Sequence, residues 1–168
     1  MQWVRQSTLQ RKSTKKGTIN YWCNMIRVFE EKDLNTVAEI WLDTNIKAHH
    51  FIPAEYWQSN FESVKEMFLQ AEIYVYEEAD RIQGFIGLDN NYIAGIFVCS
   101  AVQSKGIGKQ LLNYVKTIKA DLSLNVYKKN VRAVQFYQRE NFSVLSESVD
   151  KNTNEAEYFM TWKSEQQL

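Results

Sequence analysis

Ile93-Ala94-Gly95-Ile96-Phe97-Val98-Cys99, followed after three residues by Gln103-Ser104-Lys105-Gly106-Ile107-Gly108, is the stretch that decides the fold class. Its first part is a continuous apolar run with β-branched and aromatic residues, the pattern of a strand buried on both faces. Beyond the loop, Ile107, Leu111, Leu112, Val115 and Ile118 recur at helical spacing and make one apolar face. Strand, glycine-bearing loop and helix start, in that order, build an anion cradle. The backbone N–H groups of residues 105–109 and the positive end of the helix converge on one point, and a pyrophosphate suits such a point. Gly106 and Gly108 carry no Cβ, which lets a ligand come close to the backbone. Two glycines in such a loop also serve as a plain turn, so the rest of the chain has to decide.

Upstream of the central run, residues 73–77 alternate and are rich in aromatics, residues 78–81 form a polar turn, and residues 82–88 return as an antiparallel partner. Asp89-Asn90-Asn91 turns the chain into the central strand. Further upstream, residues 25–30 predict a first strand. Asp33 is placed to cap a helix that buries Leu34, Val37, Ala38 and Trp41. His49, His50 and Phe51 lie in a connector ending at Pro53, which suits the first turn of a second helix running to about residue 69. Adjacent histidines without Cys or Glu at ligand spacing carry little weight as a metal site. The connector, with Tyr56 and Trp57, reads as the wall of a substrate cleft, and Trp57 with Phe61 reads equally well as one apolar helix face. Downstream, residues 122–127 alternate as a strand, and Asn130 caps a helix over 131–140. Asn141 ends that helix in the left-handed conformation that Gly or Asn adopts, and residues 142–149 and 158–162 make two last strands. The order is α/β with a mixed, largely antiparallel sheet.

At 168 residues the chain predicts one folded domain with enough length for a proper core. Residues 1–24 are polar and basic, without sustained periodicity, and read as an N-terminal extension ahead of a domain spanning 25–168. Basic and acidic residues balance at 20 each, which argues against a nucleic-acid partner. Cys23 and Cys99 form no disulfide framework, no apolar run reaches membrane-spanning length, and the leader lacks an apolar core. The sequence therefore predicts a cytoplasmic protein with no membrane partner. It leaves a monomer and a homodimer both open.

Two blocks now combine. Ile96-Phe97-Val98 with Gln103-x-x-Gly106-x-Gly108 resembles the acetyl-CoA-binding motif of the GNAT (Gcn5-related N-acetyltransferase) superfamily. Asn130-x-x-Ala133-x-x-Phe136-Tyr137-x-x-x-Asn141-Phe142 resembles a second block of that family, at the expected separation. The resemblance covers about residues 25–162. Its Tyr-Trp, Tyr-x-Lys-Asn and Phe-Tyr-Gln stretches are similar to those of small bacterial members described as lysine acetyltransferases. Ser100 and Asn141 stand where many members have Pro and Gly. Residues 92–98 contain no counterpart of the central-strand Glu that some members use as base.

The resemblance implies the GNAT fold, in which the central strand splays from the next one and pantetheine lies in the gap as a pseudo-strand. It implies acetyl-CoA as cosubstrate, no metal, and an amine acceptor, either a protein lysine or a small molecule. The backbone of Phe97 and Val98 would then bond the pantetheine amides. Gln103, Ser104, Lys105, Gly106, Ile107, Gly108 and Lys109 would hold the pyrophosphate, with Asn130 beside them, and Lys128, Lys129 or Arg132 are candidates for the 3′-phosphate. Tyr137 falls where the family's tyrosine points at the thioester sulfur and is the candidate general acid. A thiol has a pKa of about 8.5 and a phenol about 10, so Tyr137 assists a leaving group that is already fair. Core packing is the plainer role for Phe136-Tyr137. The base stays open among an ordered water, Tyr92, Asp89 and Glu77. Cys99 offers a covalent route, and a buried bystander is its commoner role. A non-catalytic acyl-CoA-binding domain is the competing function.

Overall fold

The computed structural model describes residues 25–164, so the basic extension lies outside the described residues. The chain runs β1 (Ile26–Val28), α1 (Leu34–Ala48), α2 (Ala54–Ser59), α3 (Phe61–Phe68), β2 (Glu72–Glu78), β3 (Arg81–Asp89), β4 (Tyr92–Val98) and α4 (Ile107–Ile118). It continues with β5 (Asp121–Tyr127), α5 (Val131–Arg139), β6 (Ser143–Asp150) and β7 (Glu155–Lys163). One seven-stranded sheet has the order β1-β2-β3-β4-β5-β7-β6, antiparallel everywhere except between β4 and β5.

Alternation along the strands divides the core into two layers. Tyr76, Ile86, Leu88, Leu122, Leu124, Val126 and Met160 pack with Ile107, Leu111, Leu112 and Val115 of α4 and with Tyr137 of α5. Ile73, Val75 and Phe85 face the other way, against Val37, Ala38 and Trp41 of α1, Trp57 of α2 and Val64 and Phe68 of α3. Period-two strands sandwiched between period-3.6 helices are what the sequence pattern requires.

The β4–β5 contact sets up the site. The two strands pair at Tyr92↔Ser123 and at no further position. Between Gly87↔Gly95 and Leu88↔Ile93, β4 advances two residues while β3 advances one, which leaves Ala94 as a bulge. Beyond the bulge, the edge of β4 facing β5 has no ladder partner.

Three sequence expectations are corrected here. Asp33 does not cap α1 with its side chain. Its buried carboxylate instead accepts a two-pronged bond from Arg27 (2.7 and 3.0 Å) and one from the Glu30 N–H (2.8 Å). The helix after Pro53 is two helices, broken at Asn60, whose side chain donates to the Tyr56 carbonyl (2.6 Å) while its own N–H turns to Trp57. The side chain thus takes the carbonyl that a continuous helix would have offered to the backbone. The central strand is fully buried only at Ile93 and Ala94, because its second half lines a cleft.

Candidate active site

Where β4 and β5 part, the gap holds two connected cavities. The larger is a cleft of about 830 Å³ between the end of α1, the second half of β4, the loop before α4, and α5. The smaller, about 100 Å³, lies deeper in the wedge and is lined by Trp41, Trp57, Ala94, Gly95, Asn125 and Tyr127 among others. Asn45, His49, Ile96, Phe97, Asn130, Ala133 and Tyr137 line both and mark the junction.

The large cleft brings together nearly all of the residues singled out by the first block. Phe97, Val98, Gln103, Ser104, Gly106, Ile107, Gly108 and Lys109 line it, as does Asn130 from the second block; the exposed Lys105 does not. Gly106 adopts φ +83° as the residue before α4, and a Cβ there would meet nothing within 4 Å. No side chain caps α4, so its first N–H groups have no side-chain partner and face a cleft. Phe97 stacks on Phe85 and folds back over Gly95, where a Cβ would collide with the Phe97 ring at 2.4 Å.

Among the basic candidates, Arg132 reaches across the loop to Ser104 Oγ (2.8 Å) and Gln103 Oε1 (3.2 Å). Lys109 lies 3.3 Å from Glu140. Lys128 and Lys129 point elsewhere, paired with Glu147 and Glu155. Their positions in sequence could not separate them from Arg132, because strand alternation and the β6–β7 hairpin decide which carboxylates they meet.

The second block behaves as its spacing requires. Asn130 Oδ1 accepts from the Ala133 N–H (3.2 Å) and caps α5. Asn141 ends the helix at φ +66°, and the Phe142 N–H bonds back to the Tyr137 carbonyl (3.0 Å). Tyr137, 8% exposed, packs edge-on against Phe136 and Phe142 while lining both cavities. Packing and site placement are therefore not alternatives. Burial, reinforced by the nearby Tyr92, pushes its hydroxyl pKa well above the ordinary phenol value.

The base candidates separate. Glu77 is tied to Arg27 near β1, and Asp89 sits at the turn before β4; neither lines either of these two cavities. Tyr92 donates to Asn125 Oδ1 (3.2 Å), and Asn125 lines the deep cavity. The Cys99 thiol, raised in pKa by burial, faces the Ile82 carbonyl outside both cavities.

One junction residue was read only as part of a connector. Because Asn130 Oδ1 is used by its cap, its amide nitrogen faces His49 Nε2 (3.2 Å), and that ring atom must accept. The proton of the neutral imidazole then sits on Nδ1, which is buried and unpartnered among the described residues. Burial holds the His49 pKa down at about 4, and the ring stacks on Trp57 at 5.3 Å. Of the aromatic connector, His49 and Trp57 line the deep cavity, whereas His50, Phe51 and Tyr56 do not.

A parted sheet with an uncapped helix N-terminus at the mouth of the gap is the arrangement that the resemblance to the acyl-CoA-dependent GNAT acyltransferases implies. The chain belongs to the GNAT family, since residues 40–156 match the acetyltransferase (GNAT) domain. It is an acetyl-CoA-dependent N-acetyltransferase. YiaC of Escherichia coli K12, a peptidyl-lysine N-acetyltransferase, is 32% identical over 146 residues, spanning 86% of this chain and 100% of YiaC. The apo solution structure of Escherichia coli YjaB superposes with a TM-score of 0.73 at 25% identity, over 82% of this chain and 95% of YjaB. YjaB also carries the name peptidyl-lysine N-acetyltransferase. YncA of Salmonella typhimurium, solved with its cofactor acetyl-CoA, shares the fold at a TM-score of 0.59 and 17% identity, covering 86% and 96% of the two chains. The residues present suit that cofactor: an open glycine, an uncapped helix start and an unpaired strand edge face one cleft. No helix of the described residues is long and apolar enough to cross a membrane.

Proposed function

We propose that this enzyme acetylates lysine side chains of proteins or peptides in the cytoplasm, with Tyr137 as general acid and residues 25–168 as the catalytic domain. The observation that carries the reading is the place of Tyr137, a buried hydroxyl at the junction of the two cavities. The names of YiaC and YjaB support the choice of acceptor.

When bound, acetyl-CoA supplies an acyl thioester open to attack by a neutral amine. The N–H groups at the start of α4, with Arg132 and Lys109 beside them, concentrate positive potential where the loop of residues 103–109 meets the cleft, and that potential receives the pyrophosphate. The unpaired edge of β4 at Phe97 and Val98 offers backbone groups for strand addition. Asn130 fixes the start of α5 and hence the height of Tyr137, two helical turns along. Tyr137, kept protonated by burial, donates to the leaving thiolate. The aromatic walls at Trp41, Trp57 and Tyr127 keep bulk water out of the wedge and surround an alkyl chain.

The test is thiol release on mixing the protein and acetyl-CoA with lysine peptides, polyamines, amino acids and aminoglycosides. Turnover highest with lysine peptides is expected, and release with a small amine alone would replace the acceptor. Acetyl-CoA binding without release in any mixture would return the chain to a binding domain.

Because every described residue that lines the cleft lies beyond position 43, a chain beginning at Met25 is expected to bind acetyl-CoA as tightly as the whole protein. Calorimetry on the two forms decides it, and a folded short form with lost affinity would refute the boundary.

A further inference from the structure

The central strand has no carboxylate, yet a buried one stands behind the wedge. Glu157 of β7, 8% exposed, lies opposite Tyr127 of β5 and Ser148 of β6 in the sheet register. Directly opposed residues share a face, so Glu157 is on the same face as Tyr127 and Asn125, both of which line the deep cavity. Its Oε1 accepts from Asn125 Nδ2 (2.7 Å) and from Ser148 Oγ (2.9 Å). Oε2 makes no hydrogen bond among the described residues, and no basic side chain among them lies within ion-pairing distance of Glu157.

That arrangement differs from several carboxylates nearby. Asp33, equally buried, has Arg27, and Glu147 and Glu155 have Lys128 and Lys129. A buried carboxylate left without a countercharge is costly, and a cation held in the adjoining cavity would offset part of that cost. Glu157 also orients Asn125. With Nδ2 donating to the carboxylate, the amide oxygen of Asn125 is turned to Tyr92 at the apex of the parting strands.

We propose that Glu157 is the countercharge for the acceptor, a positioning residue that draws a primary ammonium into the wedge through Asn125. The proposal rests on the N-acetyltransferase activity and deepens the reading of its acceptor: the site selects a cationic nitrogen on an alkyl chain over a neutral nucleophile. Glu157 touches the acceptor's charge through the wall rather than the reacting atoms, and no covalent step is assigned to it.

The experiment compares kcat/KM for a lysine peptide and for spermidine with kcat/KM for hydroxylamine, which is uncharged near neutral pH. Glu157→Gln keeps the shape and an acceptor oxygen for Asn125 and removes only the charge. It is expected to lower the ratio of cationic to neutral acceptor by about 10- to 100-fold, chiefly through the acceptor KM, with acetyl-CoA affinity unchanged. Glu157→Asp retains the charge and is expected to keep most of the wild-type ratio. A Gln variant with the wild-type ratio, or one that loses both acceptors equally while Asp does the same, overturns the proposal. A wild type that acetylates spermidine and no lysine peptide overturns the lysine reading alone, and the Glu157 ratio is then read on spermidine.

Discussion

Replacement of Tyr137 by phenylalanine is expected to lower kcat by about 10- to 1,000-fold while the acetyl-CoA dissociation constant stays nearly unchanged. General acid assistance contributes about 10²- to 10⁴-fold, and a thiolate leaving group needs part of it. The ring contacts to Phe136 and Phe142 survive the substitution, so the fold and the back of the cleft survive as well. An interaction made mainly in the transition state reduces kcat and kcat/KM together, which separates this role from acceptor binding. The structure also revises the pH dependence implied by an ordinary phenol. Burial raises the Tyr137 pKa, so the donor form is full below its shifted value and is lost only as pH rises through it. Initial rates should therefore climb with pH as the acceptor amine deprotonates, with no fall from Tyr137 around pH 10, the value of a free phenol. A phenylalanine variant with full kcat would leave Tyr137 a packing residue and move the search for a donor to Tyr92.

Gly106→Asp is expected to weaken acetyl-CoA binding by several kcal/mol, on the order of 100-fold or more in dissociation constant. The space around a Cβ at this position is open, and the backbone strain that any side chain meets at φ +83° is shared by the control below, so the difference between the two variants arises in the cleft. A carboxylate there opposes the positive end of α4 and competes for its N–H groups. Gly106→Asn is the control, because asparagine tolerates φ near +83° and carries no charge. Calorimetry with both variants reads the difference. Equal affinity of a folded Asp variant and the wild type would remove the cradle from residues 103–109.

What could be read in the sequence follows from how local each signal is. The run 93–99, the glycine at 106 and the cap at Asn130 act within a few residues, and each takes the backbone form its chemistry dictates. Asp33 misled for the same reason: it has the chemistry of a cap, but Arg27 holds its carboxylate. Asn60 illustrates a side chain competing with its own helix, a contest that periodicity does not register. The deep cavity was the least legible part. His49 meets Asn130 across 81 positions, and Asn125 meets Glu157 across 32. Those meetings depend on the bulge at Ala94 and on β7 inserting between β5 and β6, which no spacing encodes.

The single ladder pair between Tyr92 and Ser123 also bears on how the molecule holds together. Four strands on one side and three on the other share almost no backbone stitching, so they cohere through side chains packed on both faces of the seam. Cooperativity then passes from one half to the other through oily packing, which is short-ranged and tolerant of small displacements, rather than through directional hydrogen bonds. Strands β5, β7 and β6 with α5 lie on the far side of that seam from β1 to β4, and Tyr137 sits with them.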